Sequence, residues 1–226
     1  MISFTEAPKK LLATINFLKS TRSVVMSWPT KGLVAENWGD KLNPYIMKKL
    51  SGHTAHPKRD IYPIFEFPVH YWIGSHLEGA CKDPSAVVFG AGFIDSTSQP
   101  SQIANKICAV RGWDSFEKLH SVGITCPPIV GDAATLLPLV YHPTPMPRKR
   151  LGVIAHYKER RLPFFLNTAS WEDVRTIDIL GPVEKVVDEI ASCDMIVSSS
   201  LHGLICADAY GIPNTWIKAS DLPLGD

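Results

Sequence analysis

Short apolar runs alternate along this chain with longer segments of helical periodicity, and that alternation narrows the accessible folds more than any other feature. Runs rich in Val and Ile that are too brief for a helix read as buried strands. When helical segments separate such runs, the sheet they form is mainly parallel, with helices as crossovers. The predicted strands are Ser23–Trp28, His70–Ile73, Ala86–Phe89, Ile107–Val110, Leu151–Ala155, Val174–Ile179, Met195–Ser198 and Thr215–Ile217. The predicted helices are Lys9–Leu18, Asp40–Leu50, Ser101–Asn105, Ser115–His120, Pro182–Ala191 and Leu201–Tyr210. Pro182 suits a first helical turn after Gly181, and Gly211 follows the last helix as a left-handed cap.

Four prolines lie between Pro138 and Pro147, and Arg148-Lys149-Arg150 follows them. That stretch predicts a boundary between two α/β units, residues 1–144 and 145–226. The second unit ends soon after a strand and reads as an incomplete, truncated half.

Charge excludes one class of partner. Lys plus Arg number 23 against 22 for Asp plus Glu, so there is no global field to hold a nucleic-acid backbone. The five cysteines, Cys81, Cys108, Cys126, Cys193 and Cys206, form no C-x-x-C pair and read as reduced core thiols of a cytoplasmic protein. No apolar run approaches the roughly 18 residues that cross a bilayer. Lys9-Lys10 precedes an apolar run, but Leu11, Leu12, Ile15 and Leu18 fall on one helical face, and Thr14, Asn16 and Lys19 interrupt it. An amphipathic helix is expected there in place of a signal peptide.

In open α/β sheets ligands bind beyond the carboxyl ends of the strands, so the loops there carry the candidate residues. Glu36-Asn37-Trp38-Gly39-Asp40 leads into a helix: Gly39 lets backbone approach a ligand, and Asp40 can cap the helix. Phe89-Gly90-Ala91-Gly92-Phe93 follows a buried strand, but Asp95 replaces the third glycine of a dinucleotide fingerprint. Arg111 ends another strand and offers a planar fork to carboxylate or phosphate. The most informative segment is Ser198-Ser199-Ser200-Leu201-His202-Gly203-Leu204, where hydroxyls and unpaired amides converge on a helix start. His202 in that first turn is placed to hand a proton to a bound anion. Gly203 beside it equally suits tight helix packing. His156, just past a strand end, is a further ligand contact. His53, His56, His70 and His76 make no metal-ligand pattern, and G-x-S-x-G is absent around Ser199.

Taken together, these segments resemble the polysaccharide pyruvyl transferase family. The pieces are Asn37-Trp38-Gly39-Asp40-Lys41-Leu42-Asn43, Val88-Phe89-Gly90-Ala91-Gly92-Phe93, Val110-Arg111-Gly112, Gly131-Asp132, Gly152 to Tyr157, Ser198 to Leu204 and Ala207 to Pro213. The resemblance implies two Rossmann-like halves facing a cleft, as in glycosyltransferases of the B type. It implies transfer of the pyruvyl group of phosphoenolpyruvate onto two hydroxyls of a sugar, with phosphate released and a cyclic ketal formed. The acceptor would be a sugar, an oligosaccharide or a lipid-linked saccharide, which would place the protein at the inner face of a membrane without a transmembrane segment. By position, Arg111 resembles the arginine for the donor's anionic groups and His202 the proposed acid. Asn37, Gly39, Gly90, Gly92, His156, Ser199, Ser200 and Leu201 would bind substrate, and Asp40 is the candidate base for the acceptor. Some members have arginine where this chain has Ser200. The scheme calls for no metal and no cofactor beyond the co-substrate. Two alternatives share the architecture: a nucleotide-sugar glycosyltransferase and a glycan-binding relative without turnover.

Overall fold

Parallel neighbours require crossover connections, and the segments between this chain's β-branched runs are long enough to supply them. The computed structural model describes residues 6–63, 66–100 and 106–222. The predicted helix at Ser101–Asn105 lies outside the described residues. The chain groups into two units, residues 6–35 with 43–133, and residues 36–42 with 134–222.

The first unit contains α1 (Ala7–Leu18), β1 (Ser23–Met26), most of α2 (Trp38–Ser51), β2 (Thr54–Pro57), β3 (Val69–Tyr71), α3 (Leu77–Ala80), β4 (Ala86–Phe89), β5 (Lys106–Ala109) and α4 (Trp113–Ser121). Its sheet has the order β2-β1-β3-β4-β5, and every pair is parallel. The order reverses between β1 and β3. Val25, Val69, Tyr71, Val88, Ile107 and Leu119 are buried in one core. Each such side chain contributes about 1.5–3 kcal/mol relative to exposure. β2 was not expected: it ends in His56-Pro57 at the sheet edge, where a strand shows no apolar alternation.

α1 forms where expected, but its apolar stripe is turned the other way. Leu11, Leu12, Ile15 and Leu18 are exposed, while Thr14 is buried. The reason is polar docking. Thr14 Oγ1 donates to Lys10 O at 2.7 Å and accepts the Tyr62 N–H at 2.8 Å, and Phe17 packs edge-on against Phe67 and His56.

The second unit contains β6 (Lys149–Ile154), α5 (Pro163–Asn167), β7 (Val174–Ile177), α6 (Val183–Ala191), β8 (Cys193–Ser198), α7 (Leu201–Ala209) and β9 (Asn214–Trp216). The order is β7-β6-β8-β9, again wholly parallel. Here the reversal falls between β6 and β8. α6 buries Val186, Val187 and Ile190, and Gly211 at φ 68° caps α7 as predicted. Pro182 stands one place earlier than expected, at the cap of α6.

The proline-rich stretch expected to join the halves is tied into the second unit. Tyr141 Oη and the Thr144 N–H both donate to Asp188 Oδ1, at 2.8 and 2.7 Å, and Tyr210 Oη donates to Tyr141 O at 2.8 Å. By contacts the chain divides at the start of the 3-10 stretch Ala133–Leu139. Segment 36–42 goes with the second unit, where Lys41 Nζ donates to Leu180 O at 3.1 Å. Among the described residues no helix is long and apolar enough to cross a membrane.

Candidate functional site

The reversal of strand order in the second unit places a crevice beyond the ends of β6 and β8, where this architecture binds ligands. Ile154 and Ser198 are register partners at those ends. The loops that leave them are bonded together: the Ser199 N–H donates to Ile154 O at 3.0 Å, and Ser199 Oγ accepts the His156 N–H at 2.9 Å. Ser198 Oγ in turn accepts the Ser200 N–H and donates to Ser200 O, both at 2.9 Å. Ser200 is the cap residue of α7, but its hydroxyl makes no capping bond. The Leu201 N–H meets no acceptor among the described residues. A helix start of this kind offers partial positive charge and donors to an anion.

His202 is 8% exposed in the first turn of α7. Gly203 behind it lies tight on the sheet: a Cβ there would come within 2.8 Å of Ser198 Oγ and 3.1 Å of Ile154 Cδ1. That contact presses the helix start onto the ends of β6 and β8 and holds His202 at the crevice.

Two titratable groups of this unit interact with His202, and a third, Glu159, with one of them. Asp40 is 6% exposed, and burial pushes its carboxyl up to about 6, against the opposing pull of His202 and a hydrogen bond from Asn37. Burial draws His156 below the usual imidazole range; Glu159 opposes that, while Lys158 and His202 reinforce it. Glu159 is itself buried and accepts a hydrogen bond from Ser220 Oγ. Sequence reasoning missed Glu159, since a carboxylate inside a run of Lys and Arg reads as surface. It also missed Trp38, fully buried with an indole N–H that has no acceptor among the described residues.

The helix begins at Trp38, two residues before the expected start, so Asn37 does the capping expected of Asp40. Its Oδ1 accepts the Gly39 N–H at 3.3 Å. Asn37, Gly39, Asp40, His156, Ser199, Ser200, Leu201 and His202 thus all belong to the second unit.

Gly90, Gly92 and Arg111 belong to the first. Gly90 takes φ 95°, and a Cβ on it would lie 2.8 Å from Gly131 O and 2.9 Å from Ala133 N, so close backbone approach explains this glycine. Gly92 donates to Gly74 O at 3.1 Å and accepts from Leu77 at 3.0 Å. Arg111 is 6% exposed; Nη1 donates to Ser75 Oγ at 2.9 Å and Nη2 to Phe93 O at 2.7 Å. His76 feels both Arg111 and Asp132, and its burial beside the guanidinium lowers it to about 4. Among the described residues no group of three His, Cys, Asp or Glu could hold a metal ion.

A stretch of 80 residues is 36% identical to "Uncharacterized protein L143" of Acanthamoeba polyphaga mimivirus, covering 33% of this chain and 26% of that protein. The chain thus spans about a quarter of the length of this curated relative. A family model for polysaccharide pyruvyl transferases matches residues 58–221, which include both strand ends of the crevice, Arg111, His156 and the whole of α7. With most of its length matched, the chain belongs to the polysaccharide pyruvyl transferase family.

Proposed function

We propose that the protein transfers the pyruvyl group of phosphoenolpyruvate to two hydroxyls of a saccharide, releasing phosphate and leaving a cyclic ketal. The observation that carries this reading is the β6/β8 reversal itself, where an uncapped helix start and a buried histidine stand together. Phosphoenolpyruvate is a small anion whose reaction begins with a proton, and such a site supplies a place for both.

In this scheme the Leu201 amide and the Ser200 hydroxyl hold the donor's anionic groups. His202 donates its proton to the methylene carbon, which makes the central carbon electrophilic. A sugar hydroxyl adds there and loses its proton. The bond to phosphate breaks, and the second hydroxyl closes the ring. Of the two hydroxyl protons released, one replaces that given to the new methyl group and the other leaves on phosphate, so the step balances. His156, whose burial disfavours the charged ring and whose backbone N–H is anchored to Ser199, lines the same crevice. An oligosaccharide or lipid-linked saccharide is the acceptor class, which would bring the protein to a membrane surface on the cytoplasmic side.

His202→Gln keeps a hydrogen-bond donor but shuttles no proton near neutral pH. With phosphoenolpyruvate and a panel of lipid-linked or aryl sugars, phosphate release by this variant should fall roughly 10²-fold to 10⁴-fold, with donor affinity changed much less. Turnover within a few-fold of the parent would move the acid elsewhere, with His156 tested next.

A further inference from the structure

The glycine preceding Asp40 has no conformational need to be glycine. It lies in the first turn of α2 and is not among the residues with positive φ, and glycine in a helix weakens it relative to alanine. Its reason is spatial. Gly39 is buried, and a Cβ built on it would overlap Nδ1, Cγ and Cε1 of His202. The imidazole rests on the backbone of α2 at the one position without a side chain, and the next residue along is the buried Asp40.

We propose that Gly39 is a positioning residue for His202: the missing side chain leaves the space that the ring fills, so the first turn of α2 sets where the imidazole rests. This rests on His202 being the acid of the reaction proposed above. Asn37 completes the device, since it caps the Gly39 N–H and hydrogen-bonds the Asp40 carboxyl, so the turn that carries both residues is fixed from within. The charged and titratable groups facing the ring are Asp40 from α2 and His156 from the loop after β6, with Lys158 and Glu159 acting on His156. The sharp expectation is that residue 39 is coupled to residue 202 and to no other part of the fold.

The test uses the full chain in four forms: parent, Gly39→Ala, His202→Ala and the double variant. Gly39→Ala alone should lower the melting temperature. In the His202→Ala background the same change should cost nothing or raise it, because the obstructing ring is gone and alanine is the better helix residue. Turnover of Gly39→Ala should fall about 10-fold to 100-fold, with the donor KM within about 3-fold. If Gly39→Ala fails to fold, the double variant decides: folding supports the coupling, and failure overturns it. An equal stability loss in both backgrounds, or turnover unchanged in a folded Gly39→Ala, also overturns it. Should the coupling appear while the parent turns over no phosphoenolpyruvate, the positioning stands and the proposed reaction falls.

Discussion

Asp40 shows what the burial of a single carboxyl costs in stability. Its carboxyl titrates near 6 when folded, against 3.8 for an ordinary aspartate, because burial disfavours the charge. Between about pH 4 and pH 6 the folded state therefore holds a proton that the unfolded chain has released. Stability falls as pH rises through that window, and above about pH 6 the whole cost is present, on the order of 3 kcal/mol. Asp40→Asn removes the ionisation. Urea melts should find the variant more stable than the parent at pH 7, by up to about 3 kcal/mol, with the advantage shrinking to nothing near pH 4. A variant less stable than the parent at pH 7 would show that an ion pair with His202 outweighs the burial of the carboxylate. A natural sequence retains such a costly group where it serves a site, which agrees with its place beside His202.

At the scale of elements, the chain announced its strands better than its docking. Eight strands were legible because buried parallel strands are continuous apolar runs, and α7 was legible because Ser198–Ser200 and Gly211 bracket it. The apolar periodicity of α1 was equally clear, yet Thr14 and Phe17 decided which side met the sheet, and a hydrogen bond from a distant Tyr62 amide leaves no trace in local sequence. The grouping of 36–42 with the second unit was hidden for the same reason, since periodicity reports a helix but not its neighbours. Within the candidate site, His202, His156, the serines and Asp40 could be picked out from loops at strand ends and helix starts, whereas Glu159, inside a basic run, required the fold. Arg111, singled out by its place at a strand end, also makes bonds within its own unit. Its fork is engaged by Ser75 Oγ and Phe93 O, which ties the loop after β3 to the loop after β4. Arg111→Lys loses that geometry in a buried setting, so equilibrium unfolding should show a loss of about 1–3 kcal/mol, with the donor KM of the folded enzyme within a few-fold. A variant of unchanged stability whose donor KM rises tenfold or more would return Arg111 to the donor, the role that the resemblance implies.

For the whole molecule, the two units repeat one principle: a parallel sheet whose order reverses next to its first strand, β1/β3 in one and β6/β8 in the other. A ligand that binds the folded second unit and not the unfolded chain must raise its stability by mass action, whatever its rate of turnover. At one hundred times its dissociation constant, phosphoenolpyruvate should add about 2.7 kcal/mol. Two units need not melt together, so calorimetry is the suitable measurement. The expected result is one transition displaced upward by several degrees with millimolar phosphoenolpyruvate, and displaced less with inorganic phosphate. Equal displacement by phosphate would reduce the crevice to a site for that group alone. A transition unmoved by phosphoenolpyruvate but raised by a nucleoside diphosphate would replace the pyruvyl donor with a nucleotide-sugar, because the same helix start would then be serving a diphosphate.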